Sequence, residues 1–292
     1  MTDFANLVPS SGSLASYINS VFFSLPFAFW FLVTIMLCVA ISSYVTHQLT
    51  ANGSVAAFFV GFGTTWILGF GALATLLLFF ISAGVLSKIA KRATQFDVMQ
   101  IHKKGDRRDA MQVYANGLMA LVGALLYALN PSIAFLVMFG SAVGEAASDT
   151  FASEVGILSK TKPVSIITGR PMTPGLSGAV SPLGLASGLL GAVLVALCVW
   201  GCFLPMRIQS AAYASVIALS SFFGCLLDSV LGATVQAHYY DEKTDRITEH
   251  AVVDGRKLPL ERGIRWVDND VVNLVSNAVS AILGMSLVLI IG

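Results

Sequence analysis

Long apolar runs alternate with short polar interruptions along nearly the whole chain. Runs of about 20 residues, the length a helix needs to cross roughly 30 Å of hydrocarbon, occur at Leu25–Tyr44, Met111–Leu129, Leu183–Phe203, Tyr213–Val230 and Val271–Ile291. Val55–Leu86 is too long for one span and is interrupted at Gly69-Phe70-Gly71, so it reads as two. Ser132–Glu145 supplies one more, running into polar residues at its end. The pattern predicts an all-α, polytopic membrane bundle of about eight transmembrane helices. Residues 25–292 form one membrane-embedded domain, preceded by a non-cytoplasmic segment over 1–24. That segment has no Lys or Arg and no small-residue cleavage pattern, which argues against a removable signal peptide.

Composition agrees. Of the 292 residues 56% are hydrophobic and 11% charged, well below the roughly 25% charged of a soluble globule. A formal charge of +1 gives no field for nucleic-acid binding. The four cysteines, Cys38, Cys198, Cys202 and Cys225, lie in apolar runs without a CxxC pair or a histidine cluster and read as packing residues.

Charge placement sets an orientation. Of 17 Lys and Arg, seven lie in Lys88–Arg108, three in Lys160–Arg170 and six in Lys243–Arg265. With eight spans these three loops share one side, which the positive-inside rule assigns to the cytoplasm, leaving both termini on the other face. Arg207, in the Pro205 turn, is the exception.

Acids at bilayer depth cost about 2.5 to 3.5 kcal/mol each, so they mark candidate chemistry. Glu145, Asp149 and Ser153 recur every four residues on one helix face, with Thr150 and Glu154 beside it, a stripe suited to a cation or simply solvated past a helix end. Asp228 sits in Gly-Cys-Leu-Leu-Asp-Ser-Val-Leu-Gly-Ala-Thr-Val-Gln, residues 224–236. Arg107 and Arg108 precede a helix that carries Asp109, Gln112 and Asn116 on one face, a cation pair beside a polar stripe that suits phosphate. Thr168-Gly-Arg-Pro-Met-Thr-Pro-Gly-Leu-Ser-Gly-Ala-Val-Ser181 is rich in glycine and hydroxyls and leads into a helix at Pro182. Such a loop can bring backbone N–H groups to an anion, although it lacks the Gly-Lys-Ser/Thr of a Walker A motif. Gly184, Gly188 and Gly191 read as helix packing. Asn269, Asn273, Ser276 and Ser280 run down one face of the last span, with an N-cap at Asp268 or Asn269. Tyr239–Arg262, with mixed charges and Asp254-Gly255, reads as an exposed hairpin-like loop without a catalytic role.

Five ordered segments resemble the membrane family of transmembrane protein 19 and plant phytyl-phosphate kinase. They are Arg-Arg-Asp-Ala-Met-Gln-Val-Tyr-Ala-Asn-Gly, Ala-Ser-Asp-Thr-Phe-Ala-Ser-Glu, Thr-Gly-Arg with Pro-Gly-Leu-Ser-Gly-Ala-Val-Ser, Leu-Asp-Ser-Val-Leu-Gly-Ala-Thr-Val-Gln, and Asp-Asn-Asp-Val-Val-Asn. The resemblance runs from about Thr46 to the end. It implies a polytopic kinase that phosphorylates an isoprenyl monophosphate from CTP. A weaker similarity extends to phosphatidate cytidylyltransferases, whose acidic helix end and Pro-Gly-x-Gly-like loop have counterparts in Asp149–Glu154 and Pro174–Gly178. Leu176-Ser177 interrupts the His-Gly-Gly of those enzymes, and Val180-Ser181 stands where they have Asp-Arg.

Phosphoryl transfer needs metal-holding carboxylates, cationic clamps and phosphate-cradling groups on one membrane face. This reading makes the membrane domain catalytic, with Asp149, Asp228, Arg108 and Arg170 as its central residues. Asp149, Glu154, Asp228 and Glu145 are the candidate Mg2+ ligands, and Arg108 and Arg170 the phosphate clamps. Thr168, Gly169, Pro174, Gly175, Ser177, Gly178, Ser181, Asp109, Asn116, Asn269 and Asn273 are candidates for the nucleotide and phosphates. A phosphate monoester, with its second pKa near about 6, needs no dedicated base at neutral pH. Cytidylyl transfer to a lipid phosphate is the alternative reaction. A transporter is the alternative class, against which the polar motifs gather toward one face and no repeat of the two halves is visible.

Overall fold

The computed structural model describes residues 19, 21–93, 107–203 and 208–291. Most of the 1–24 segment, the middle of the Lys88–Arg108 loop and the Arg207 turn lie outside the described residues. Eight long helices are present among the described residues: α1 (Ala28–Val45), α2 (Ala51–Leu68), α3 (Phe70–Ala93), α4 (Ala110–Leu129), α5 (Ile133–Gly156), α6 (Pro182–Phe203), α7 (Ile208–Thr234) and α8 (Asn269–Ile291). Seven are long and apolar enough to cross a membrane. The eighth, α5, is 24 residues long and carries Glu145, Asp149 and Glu154. This is an all-α polytopic bundle, and each predicted apolar run is a helix.

The break between α2 and α3 falls at Gly69, whose φ of +78° ends α2, while Phe70 N donates to the Asn19 side chain at 3.0 Å. The helix surfaces are apolar outward: Trp30, Leu129, Leu219, Leu289 and Ile290 are exposed, which lipid accounts for and water does not.

α5 is the central element, packing on α3, α4, α6, α7 and α8. Its inner face is made of small residues that meet the glycines of α6. A Cβ on Gly191 would lie 2.9 Å from the Ala147 carbonyl oxygen, and one on Gly188 3.2 Å from that of Ser148. The glycine spacing of α6 is therefore a packing seam, which replaces side-chain bulk with close backbone approach. Polar groups at depth are paired across helices: Ser141 Oγ shares a hydrogen bond with Ser220 Oγ at 2.8 Å, Ser280 Oγ donates to the Ser220 carbonyl at 2.9 Å, and Asn277 Nδ2 donates to the Ala142 carbonyl at 2.8 Å. With no water in the hydrocarbon these bonds have no competitor, so they fix α5, α7 and α8 in register.

Among the described residues seven short strands decorate one end. β1 (Val164–Ser165) pairs antiparallel with β2 (Ala179–Val180) and closes the base of the glycine-rich loop. Between α7 and α8 the chain forms β3 (His238–Asp241), β4 (Arg246–Thr248) and β7 (Leu260–Arg262) in a sheet of order β4-β3-β7, with β5 (Val252–Val253) and β6 (Arg256–Lys257) as a separate hairpin. The expected hairpin over 239–262 is present and its 242–246 turn is exposed, but the expectation of exposure throughout is corrected: Tyr239, Asp241, Thr248 and Glu249 are buried. Mixed charge suggested solvent, yet Asp241 accepts from Lys243 N and Thr244 Oγ1 and pairs with Arg256 at 3.5 Å, so its charge is satisfied within the fold.

Candidate functional site

A cavity of about 340 Å3 lies at the end of the bundle where α5, α7, α8 and the glycine-rich loop meet. Its walls hold six carboxylates, Asp149, Glu154, Asp228, Glu249, Asp268 and Asp270, and two cations, Lys91 and Arg108.

Arg108 is aimed by the α1–α2 connection. Its N–H donates to the Gln48 carbonyl and its own carbonyl accepts from Thr50 N, both at 3.0 Å, in a bridge beside Leu49. Asp109 next in sequence is the N-cap of α4: it accepts from Gln112 N, and Gln112 Oε1 accepts from Asp109 N, each at 3.1 Å. Asp109 thus serves helix capping and does not line the cavity, while Arg108, Gln112 and Asn116 do. Burial lowers the Arg108 pKa from its ordinary value, opposed by Glu154 and Asp149, so this cation faces the α5 acids. A guanidinium remains charged through such a shift.

The α5 stripe divides between two jobs. Asp149, Thr150, Ser153 and Glu154 line the cavity. Glu145, one turn deeper and 1% exposed, does not. It accepts from Ser276 Oγ at 3.0 Å and Asn277 Nδ2 at 2.7 Å. Its expected place among the metal ligands is corrected to the framework behind them: i, i+4 spacing put it on the right face but one turn too deep. Ser276 Oγ also lies 3.1 Å from Asp228 Oδ2, and with its amide turned so that the nitrogen faces the carboxylate Asn273 Nδ2 donates to the same oxygen at 2.9 Å, so α8 orients the α7 carboxylate. Asp268 Oδ1 accepts from Asp270 N and Val271 N, the expected cap of α8, and leaves Asn269 and Asn273 on the cavity wall.

The loop is split as well. Pro174, Gly175, Ser177, Gly178 and Ser181 line the cavity. Thr168, Gly169 and Arg170 do not: they form an exposed turn in which Gly169 N donates to the Ser165 carbonyl and Thr168 N to Ser165 Oγ. Arg170 is therefore withdrawn as a phosphate clamp. Gly178 has φ +88°, and a Cβ there would lie 2.6 Å from Ala233 Cα, so its glycine is required for packing on α7, where close approach to a ligand had been expected. Ser181 Oγ accepts from Gly184 N at 3.1 Å and caps α6.

Sequence reasoning missed Lys91, Glu249, Asp268 and Asp270 as wall residues. Lys91 was hidden in a run of basic residues, and Asp268 and Asp270 flank a motif read mainly through its asparagines. Glu249 carried no local signal.

The donor set suits a hard divalent cation such as Mg2+: the wall is oxygen-rich and its carboxylates outnumber its cations six to two. Among the described residues no three His, Cys, Asp or Glu side chains converge to hold a metal unaided. That fits an ion held by one or two carboxylates and completed by water and substrate phosphates.

Comparison with known proteins then places the chain. Residues 34–281 match the family described as integral membrane protein DUF92. The chain belongs to that family. It is 28% identical to Protein PGR of Arabidopsis thaliana over 268 residues, covering 84% of this chain and 91% of that one. An uncharacterized membrane protein of Methanocaldococcus jannaschii is 32% identical over 207 residues, 70% of this chain and 82% of that one. Protein VTE6, chloroplastic, of Arabidopsis thaliana is 25% identical over 243 residues, 81% and 64% of the two chains. No solved structure matches.

Proposed function

We propose that this DUF92 protein transfers the γ-phosphoryl group of a nucleoside triphosphate, CTP, to an isoprenyl monophosphate such as phytyl or polyprenyl phosphate. The observation that carries this reading is the cavity of about 340 Å3 at one end of the apolar bundle, whose wall brings Asp149 and Asp228 together with Arg108 and the glycine-rich loop. The resemblance to phytyl-phosphate kinases supports the same chemistry.

In this reaction an oxygen of the acceptor phosphate forms a bond to the γ-phosphorus, the bond from that phosphorus to the β–γ bridging oxygen breaks, and CDP leaves with the electron pair. The lipid becomes a diphosphate. The acceptor is already largely dianionic at neutral pH, so no side chain must take a proton. Arg108 and Lys91 neutralise phosphate oxygens, and Gln112, Asn116, Asn269 and Asn273 supply hydrogen bonds that orient them. Asp149 and Asp228, with Glu154 beside them, would hold Mg2+, which when bound offsets the charge of the polyphosphate. Ser276 and Asn273 keep the Asp228 carboxylate turned to the cavity. The isoprenyl tail lies among apolar helices with its phosphate at the rim, on the cytoplasmic side by the charge distribution of the loops.

The test is a matrix of CTP, ATP, GTP and UTP against phytyl, farnesyl and longer polyprenyl phosphates with purified protein. The reading requires nucleoside diphosphate release that depends on an isoprenyl phosphate. Release that ignores the lipid, or none with any pair, overturns it.

A further inference from the structure

The residues between α7 and α8 supply both a wall carboxylate and a support for the glycine-rich loop. Glu249, just beyond β4, is a carboxylate only 4% exposed. Its Oε1 accepts from both Ser177 N at 3.1 Å and Ser177 Oγ at 2.5 Å. Ser177 Oγ in turn accepts from Gln236 Nε2 at 3.0 Å, and Gln236 is 1% exposed. Gln236 ends the Asp228 motif, whose Asp228 and Ser229 line the cavity.

These contacts change what the glycine-rich loop can do. Leu176 N and Ala179 N are committed to carbonyls within the loop, and Ser177 N is committed to Glu249. Gly178 N lies 3.0 Å from where a Cβ on Gly232 would be, so the loop also rests directly on α7. The loop is a preformed shelf rather than a flexible cradle. Its inner end is pinned by β1–β2 pairing and its tip by Glu249 and Gln236.

The strut is anchored in turn. Arg262 Nε on β7 donates to His238 Nδ1 on β3 at 3.1 Å. Burial lowers the pKa of Arg262 and the Glu249 carboxylate opposes that shift.

We propose that Glu249 and Gln236 are positioning residues that hold the Ser177 tip of the loop in the geometry that admits the nucleotide, making the α7–α8 insertion a working part of the site. The inference rests on the functional reading above. Preorganisation is what such a strut contributes: a loop already ordered loses little further freedom when a ligand seats against it.

The experiment uses the full chain in detergent or nanodiscs, with CTP and phytyl phosphate titrated separately and amide exchange followed over 172–181. Glu249→Ala should weaken CTP binding tenfold or more, leave phytyl phosphate within about twofold, and speed exchange at the loop. Glu249→Gln retains an acceptor oxygen and should recover most of the affinity. Because one strut is being removed, Ser177→Ala combined with Glu249→Ala should bind CTP no worse than Glu249→Ala alone. Faster loop exchange with unchanged CTP affinity overturns the proposal. So does equal loss for both ligands with a lower melting temperature, which reduces the insertion to a support for the fold. Loss in Glu249→Gln as deep as in Glu249→Ala, with loop protection intact, also overturns it by giving the carboxylate a direct contact. Absence of CTP binding by the unaltered protein would remove the functional reading and this inference together, whereas the other adverse outcomes remove the inference alone.

Discussion

Replacing Gly178 with alanine isolates the contribution of the shelf to binding. The position has φ +88°, so an L side chain carries roughly 1–2 kcal/mol of left-handed strain. The new Cβ would also stand 2.6 Å from the N, Cα and Cβ of Ala233. Those atoms belong to the backbone of α7 and its shortest side chain, which cannot swing aside, and overpacking of this kind costs about 1–3 kcal/mol. Lifting the tip away from α7 relieves the contact with Ala233, and a change of φ at the same residue relieves the backbone strain, at the expense of the Ser177–Glu249 bonds. The strain of about 2–5 kcal/mol therefore shifts the loop rather than unfolding a bundle held by five helix partners of α5. If seating of the nucleotide requires the resting position, about 2 kcal/mol of that total corresponds to roughly 30-fold in affinity. Calorimetric titration with CTP should show a loss of that order, with phytyl phosphate affinity and melting temperature little changed. Unchanged CTP affinity in a correctly folded variant would refute the reasoning, since it would mean that the loop position is irrelevant to the ligand.

Asp228→Asn should reduce turnover by a hundredfold or more while membrane insertion is unimpaired, because removing a charge lowers the cost of placing the helix; full activity, measured on protein quantified in the membrane fraction, would take Asp228 out of the chemistry. Arg108→Ala should cost at least tenfold in kcat/KM, whereas Arg170→Ala, on an exposed turn away from the cavity, should stay within about twofold; the reverse order in steady-state assays would reinstate Arg170. His238, whose pKa is lowered from its ordinary 6.5 by burial and by Arg262, favours the folded sheet fully above that value. The contribution is lost as pH falls below 6.5 and the unfolded segment takes up a proton that the folded one refuses. Protection factors over β3 and β7, taken relative to the intrinsic exchange rate at each pH, should accordingly fall between pH 7.5 and 5.5, and a His238→Asn variant should lose that dependence.

The fold was legible because hydrocarbon imposes one rule on every span: a run of apolar residues near 20 long must be helical to satisfy its own backbone. Leu183–Phe203 and Val271–Ile291 were located to within a few residues of α6 and α8 for that reason. The site was legible where periodicity carries direction, as with Asp149 and Asp228, whose helix faces point them inward. Depth was not legible, because i, i+4 spacing does not say which turn meets the cavity, and Glu145 fell one turn behind it. Loops were least legible. Thr168-Gly169-Arg170 shares a glycine-rich stretch with Pro174–Ser181, yet the β1–β2 pairing that turns the first group outward depends on partners 14 and 16 residues away, Ser165 against Ala179 and Val164 against Val180. Glu249 is the extreme case: its role comes from Ser177, 72 residues earlier in the chain.

The central claim concerns which phosphorus is attacked, and labelled CTP reads that directly. Protein reconstituted with phytyl or polyprenyl phosphate is given CTP labelled on the γ-phosphate, the organic phase is counted, and pyrophosphatase is added to half the samples. Phosphoryl transfer predicts label in the lipid as a diphosphate, CDP in the aqueous phase and a yield indifferent to pyrophosphatase. Label recovered only as pyrophosphate, with cytidine retained on the lipid, would contradict the account and establish cytidylyl transfer in its place.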